Sequence, residues 1–311
     1  MKNKSTLYLG GIFLVLVGVF LITSLHPKEV TRGATQLFPK EKPVFDKFEI
    51  RNPSAELVVL EKKGDSWQII KPFQYKANQK AIDQLVDALS NIMIDGVISS
   101  DVSEQRRFGV DDSTGVNIKA YSGGKNVLDV ILGNFTPEAS HNYARMSNSK
   151  DITLWRGIFS RAAIRQSDDW RDRTIYSFNE DDITSIKAVE ARQTRELAIS
   201  DSIWVYKENG KAKPVNQSKV KGFIAFLASL NCDAFPAEAD IPRAGSTKPD
   251  VRVSFKVRNG DTHVFDVWLP VKNEEKIYLL RKENGDMLFR FHESNGSQLA
   301  LNYDKLKSEK K

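Results

Sequence analysis

Hydrophobic positions along the chain change their spacing from segment to segment, and each spacing predicts a different element. Residues 7–25, LYLGGIFLVLVGVFLITSL, form an uncharged run. At about 1.5 Å per residue its length matches the hydrocarbon core of a bilayer, which predicts a transmembrane helix. Short runs rich in Val, Ile, Phe and Leu then occupy 44–50, 56–61 and 66–70, and Lys63-Gly64-Asp65 makes a turn between the last two. Ile82, Leu85, Val86, Leu89 and Ile92 recur every three or four residues. That spacing predicts a helix over about 79–93, with Asn78 as its N-cap. An extended stretch at 94–99 precedes a hairpin of 116–121 and 127–132 around Gly123-Gly124, whose freedom at positive φ suits a tight turn. Strands at 143–146 and 152–155 follow, then a helix over 158–165 with Phe159, Ala162 and Ala163 inward.

The pattern then repeats. Strands are expected at 183–189 and 196–199, with Trp204 on a third. Val220, Phe223, Ile224, Leu227 and Leu230 form a second helix face. A hairpin of 251–257 and 263–269 turns at Asn259-Gly260, and strands at 277–281 and 287–291 follow. Trp67-Gln68-Ile69 returns as Trp204-Val205-Tyr206, Asn78-Gln79 as Asn216-Gln217, and Val127-Leu128-Asp129-Val130 as Val264-Phe265-Asp266-Val267. The second copy reads as shorter, its turn at 200–203 a trimmed form of 61–66. Runs of strands with one or two helices per unit predict an α+β fold, two tandem related repeats of largely antiparallel sheet preceded by one transmembrane helix. The expected organisation is a cytoplasmic tail at 1–6, an anchor at 7–25, a Pro-containing linker at 26–43, repeat one at 44–180, repeat two at 181–303 and a charged tail at 304–311.

Charge narrows the function classes. The net charge of +6 comes from the ends, because residues 46–303 hold equal numbers of bases and acids. A nucleic-acid-binding domain normally carries a basic face, so bulk charge gives that reading no support. Lys2 and Lys4 precede the apolar run, and Lys28 and Arg32 follow it. The short N-terminal tail and the long C-terminal part favour an inner-membrane, single-pass orientation, N-terminus in the cytoplasm, with the bulk in the periplasm or outside the cell. A cleaved signal peptide would have a shorter apolar stretch ending in an A-x-A-like site; this run ends Thr23-Ser24-Leu25-His26. Gly11 and Gly18 lie seven residues apart and share a helix face, a candidate for close helix contact in the membrane.

No catalytic constellation, cofactor site or metal set stands out. Gly123-Gly124-Lys125 lacks the spacing and the following helix of a phosphate loop and reads as a hairpin turn. His141, His263 and His292 have no second ligand at metal-binding spacing. Asp111-Asp112, Asp168-Asp169 and Glu180-Asp181-Asp182 do not form a calcium loop, and Asp168-Asp169 has Arg171 and Arg173 nearby for local ion pairing. Nothing matches a G-x-S-x-G elbow. Trp67 and Trp204 are expected in the core, with an exposed aromatic platform for glycans as the functional alternative. Cys232 is expected as a small core residue.

Several segments occur in an order that resembles a known family, domain of unknown function 4340. They are 57–67, 78–89, Arg107-Phe108-Gly109-Val110 with Asp111-Asp112, and Trp170-Arg171-Asp172-Arg173-Thr174-Ile175 leading to Asp181-Asp182-Ile183. The stretch 241–249 lacks the Phe-Gly-Val element of the first repeat. The resemblance implies a membrane-anchored or secreted envelope protein, in some cases associated with ABC-2-type transport systems similar to those linked to gliding motility. It implies no established catalytic residues. The expected function is therefore a non-enzymatic, membrane-anchored extracytoplasmic module whose partners are the membrane and envelope or ABC-type transporter proteins, not nucleic acid. The alternative is a module that binds envelope glycan or a small exported molecule between the repeats.

Overall fold

The computed structural model describes residues 34–157, 159–271 and 275–308. The expected anchor at 7–25, with Gly11 and Gly18, lies outside the described residues. Among the described residues no helix is long and apolar enough to cross a membrane. The chain divides into two compact units between Arg171 and Asp172.

The first unit is a ten-stranded antiparallel sheet carrying one long helix. Its strands are β1 (Thr35–Gln36), β2 (Lys47–Arg51), β3 (Val58–Lys63), β4 (Ser66–Lys71), β5 (Tyr75–Lys76), β6 (Met93–Ser99), β7 (Val116–Ser122), β8 (Lys125–Phe135), β9 (His141–Met146) and β10 (Ile152–Arg156). They lie in the order β1-β6-β10-β9-β8-β7-β2-β3-β4-β5. Helix α1 (Gln79–Ser90) starts where the Asn78 side chain accepts the amide of Ala81, satisfying one otherwise orphaned donor. Its stripe of Ala81, Ile82, Leu85 and Leu89 is buried together with Phe48, Leu60, Ile69, Ile118 and Val130 from the sheet. Each fully buried Leu or Ile contributes about 1.5–3 kcal/mol through removal from water. Trp67 is buried and stacks on Phe48 with ring centroids 5.2 Å apart. Short helices α2 (Gln105–Phe108) and α3 (Ser160–Ala163) complete the unit. The Gly123-Gly124 turn has φ of 58° and 73°, as the sequence led us to expect.

The second unit has eight antiparallel strands: β11 (Ile183–Glu190), β12 (Gln193–Ser200), β13 (Ile203–Glu208), β14 (Lys211–Lys213), β15 (Val251–Val257), β16 (Thr262–Trp268), β17 (Tyr278–Lys282) and β18 (Leu288–Phe291). Their order, β14-β13-β12-β11-β15-β16-β17-β18, is the order of β5-β4-β3-β2-β7-β8-β9-β10. The first unit adds β6 and β1 beyond β10. Helix α4 (Gln217–Ala228) is capped by Asn216, whose side chain accepts the amides of Ser218 and Lys219. Val220, Phe223, Ile224, Leu227 and Leu230 are buried as the spacing predicts. Three shorter helices follow: α5 (Asp240–Ser246), α6 (Glu293–Gly296) and α7 (Tyr303–Leu306).

The two long helices are tied down alike. The amide of Asn78 donates to Trp170 O, and Ala77 bridges Arg171; the amide of Asn216 donates to Leu306 O, and Val215 bridges Lys307. Several expectations shift accordingly. Residues 304–307, read as tail, finish the second unit, because Leu306 is buried against it. Residues 35–38, read as linker, join the first unit through the β1–β6 pairing and the packing of Leu37 and Phe38 on the core. Residues 172–180, read as the end of repeat one, belong to the second unit, where Ile175, Tyr176 and Phe178 donate to Leu230 and Ala228.

The ladders also adjust two readings of the repeat. Lys63↔Ser66 and Ser200↔Ile203 close hairpins of equal length, so the second turn is not trimmed. Ile118↔Val130 corresponds to Val253↔Phe265, so Val130 matches Phe265 and not Val267. The two-residue slip preserves which face each side chain occupies, and the sequence alone therefore does not reveal it.

Candidate functional site: polar clusters and the backs of the sheets

The Arg107–Asp112 segment builds a lid over the back of the first sheet. Helix α2 ends at Gly109, which has φ of 70°. Val110 then packs with Ile131 and Ile152, flanked by Phe108 and Tyr143, whose rings lie 4.6 Å apart. Buried Arg145 on β9 reaches up to this lid: Nε donates to Val110 O at 2.9 Å and Nη2 to Asp112 Oδ1 at 2.6 Å. Asp111 accepts the Ser113 amide and the Ser113 and Thr114 hydroxyls. Those bonds, Ser113 first, hold its carboxyl down at about 2. Gly133 lies beneath the lid, where a Cβ would overlap the Phe108 carbonyl oxygen.

The second sheet has a different lid. Helix α5 lays Ala244 on Trp268, Ile277, Leu279 and Leu288. Here the arginine belongs to the lid: Arg243 donates to Ile277 O at 3.3 Å and to Leu269 O. The Trp268 indole donates to Thr247 O at 3.3 Å, and Arg281 stands 4.9 Å from its ring centroid.

The Trp170–Arg171 pair is also structural. Trp170 is buried with Arg165 5.3 Å from its ring centroid. Arg171 lies 4.7 Å and 4.6 Å from the ring centroids of Phe73 and Tyr75 and pairs with Asp168 at 3.0 Å. That ion pair accounts for one acid of the Asp168-Asp169 cluster. In the second unit Arg173 donates to Asp233 O at 2.7 Å, and Arg258 interacts with both Asp182, at 3.8 Å, and the Asp181 carbonyl.

His141, which looked isolated in the sequence, has two partners. Its Nδ1 lies 2.8 Å from Ser140 Oγ and its Nε2 2.7 Å from Asp95 Oδ2. Arg156 holds the same carboxylate through Nη2 to Oδ1 at 2.6 Å and Nε to Oδ2 at 3.3 Å. The Arg156 hydrogen bond, with a smaller contribution from His141, keeps the Asp95 carboxyl below the usual carboxylate range. Nothing local in the sequence reveals this group, because Asp95 lies 46 residues from His141 and 61 from Arg156. An oriented imidazole beside a hydroxyl is a general-base geometry. Acyl transfer would further require donors aimed at a developing oxyanion and a cavity for the acyl group.

Other candidates separate. His263 packs among Phe178, Phe255 and Tyr176, with centroid distances of 4.8, 5.2 and 5.7 Å. His292 precedes α6, and its amide donates to Asp233. Cys232 is buried. Among the described residues, no group of three or more His, Cys, Asp or Glu could hold a metal ion. One recess of about 490 Å³ lies beside Asn126, Val127, Asp129, Met146 and Ser147. Its Asp129 carboxylate is already used by Asn117, Ser147 and Lys119. A second, of about 360 Å³, is lined by Phe178, Asp182, Val257, Arg258 and Asn259.

A model of the family described as "Domain of unknown function (DUF4340)" matches residues 67–250, more than half of the chain. The chain belongs to the DUF4340 family. The matched region begins at Trp67 on β4 and ends immediately before β15, so the DUF4340 match crosses the joint between the units. It contains both lids and both long helices. No curated protein and no solved structure matches the chain.

Proposed function

We propose that this DUF4340 chain is a membrane-tethered, non-catalytic envelope module built from two copies of one sheet-and-helix unit. The observation that carries the tether is the uncharged run at 7–25, which is long enough to span a bilayer. The matched strand orders and helix anchors support the duplication. The non-catalytic reading draws support from how the polar groups are used: Arg145, Asp111, Arg171 and Asp129 all hold their own unit together. We place the N-terminus in the cytoplasm and the folded units on the other side of the inner membrane, serving an envelope assembly or an ABC-type transporter. Gly11 and Gly18 would form the contact face of the membrane helix.

The test is carbonate extraction of membranes together with protease access to a C-terminal tag in spheroplasts, followed by mild-detergent purification with partner identification. The proposal expects a carbonate-resistant chain, a tag cleaved from outside and co-purifying membrane proteins. Gly11→Leu/Gly18→Leu should reduce that co-purification. Release of a soluble chain beginning near His26 would contradict the anchor. Loss of cellular function on Ser140→Ala or His141→Ala, with folding intact, would contradict the non-catalytic reading.

The recess beside Phe178 favours a second reading, a binding module for a small amphipathic molecule or glycan. Its wall combines apolar Phe178 and Val257 with the Asp182–Arg258 ion pair. Arg258→Ala should then abolish a thermal shift induced by envelope glycan fragments.

A further inference from the structure

The hairpins at the same place in the two units carry opposite chemistry. In the first unit, Glu61, Lys62, Lys63, Gly64 and Asp65 surround the β3–β4 turn, and Trp67 beyond it is buried. In the second, the β12–β13 turn is Asp201-Ser202, flanked by Ile199 and Ile203, which are 46% and 55% exposed. Trp204 pairs across the ladder with Ile199 and is only partly buried, although the sequence pattern expected it in the core. Its backbone is held at both polar atoms: the Trp204 amide donates to Gln217 Oε1 at 3.0 Å, and Gln217 Nε2 donates to Trp204 O at 2.9 Å. The equivalent Gln79 instead bonds Asp83 on its own helix. Helix α4 therefore fixes the base of a hairpin that presents two isoleucines to solvent beside a partly buried tryptophan.

We propose that this hairpin docks on the lipid bilayer, a claim that rests on the membrane-tethered reading above. The uncharged run ends at Leu25 and β1 begins at Thr35. The residues between them reach at most about 30 Å, which keeps the first unit beside the membrane. The second unit is joined to it directly at the Arg171–Asp172 peptide bond. Tryptophan and branched aliphatic side chains are suited to the interface, where an aromatic ring sits at headgroup level. Asp201 and Ser202 limit the depth, because a carboxylate and a hydroxyl stay among headgroups. The contact is shallow and made by the hairpin tip, with Ile199 and Trp204 on one face of the hairpin and Ile203 on the other as its apolar part.

The chain provides its own probe. Of its five tryptophans, Trp67, Trp155, Trp170 and Trp268 are buried, and the run at 7–25 contains none. Lipid-borne quenching therefore reports on Trp204. The full chain is reconstituted in phosphatidylcholine vesicles with or without bromine near the headgroup end of the acyl chains. The expected result is partial quenching by the brominated lipid, lost in Trp204→Phe and reduced in Ile199→Ser/Ile203→Ser with unchanged circular dichroism. Undiminished emission from a carbonate-resistant chain would overturn the docking while leaving the anchor intact. Quenching that persists in Trp204→Phe would overturn it as well. A chain that carbonate washes from the vesicles would refute the tether. Brominated vesicles added to that released chain still decide the hairpin: quenching through Trp204 supports docking, and none refutes it.

Discussion

Gly133 and Trp268 stand at the same place in the two sheets, one residue beyond the ladder pairs Val116↔Leu132 and Val251↔Val267. Above Gly133 the Phe108 backbone comes so close that no side chain fits. Above Trp268 a helix stands back far enough for the largest side chain. One framework has thus been closed by opposite means, backbone against backbone in the first unit and indole against helix in the second. The arginines follow the same logic. A lid of loop backbone presents carbonyls for Arg145 to reach from the sheet. A helical lid has spent most of its carbonyls internally, so Arg243 reaches from the lid to the sheet's strand ends. The strand framework is common to the units, and the cover is where they differ.

Changes that separate framework from cover test this comparison. The largest effect is expected for Trp268→Ala, which should destabilise the second unit by about 3–5 kcal/mol, as large-to-small aromatic changes in cores do. Gly133→Ala should destabilise the first by about 1–3 kcal/mol through overpacking. Denaturant melts of the purified chain, with amide exchange to assign the loss to a unit, read both. An effect that spreads equally over both units would contradict separate covers.

The shared features should respond alike. Asn78→Ala and Asn216→Ala should each cost about 1 kcal/mol, the usual loss of an N-cap side chain. A difference between them greater than about 1 kcal/mol would mean that the two helix starts are not equivalent. The helices differ where Gln84 accepts Arg165 at 2.5 Å and α4 carries Gly222, which has open space around its Cβ position. Gly222→Ala should therefore stabilise the second unit by about 0.5–1 kcal/mol. A loss of stability would show that Gly222 serves close packing.

Framework and cover were not equally legible in the sequence. The long helices could be read because cap and periodicity are local: Asn78 and Asn216 mark the starts, and the buried stripes follow. The hairpins could be read from Gly123-Gly124 and Asn259-Gly260. The register of the second hairpin could not, because the Val-Phe-Asp-Val match is displaced by two residues, which leaves the inward face unchanged. The second lid was missed because Asp-Ile-Pro-Arg-Ala-Gly-Ser contains Pro242 and Gly245 and reads as loop. Proline is nevertheless tolerated in the first turn of a helix, where its missing N–H would have had no partner. Trp204 was expected inside, like Trp67, because the two occupy matching strand positions. It is only partly buried, although it stands two residues beyond its turn just as buried Trp67 does. The Ser140–His141–Asp95–Arg156 cluster was invisible because strand pairing alone brings its members together.

The smallest expected effect is a pH dependence confined to the first lid. Asp111 is held at about 2, below its ordinary value, by Ser113 and Thr114. A carboxyl depressed on folding adds stability that is present above its unfolded value, near 4, and is lost as pH falls toward 2. Asp111→Asn should flatten the acid limb of the first unit's stability in that window and leave the second unit's unchanged. An acid limb unaltered by the substitution would remove Asp111 from the account.

The central claim is that one eight-stranded framework occurs twice under two covers. An experimental structure of the chain, with the first unit superposed on the second, tests it most directly. The account predicts that α1 falls on α4, Asn78 on Asn216, Trp67 on Trp204, Val130 on Phe265 and Gly133 on Trp268, with α2 and α5 diverging. A different strand order in either unit, or Val130 falling on Val267, would contradict it.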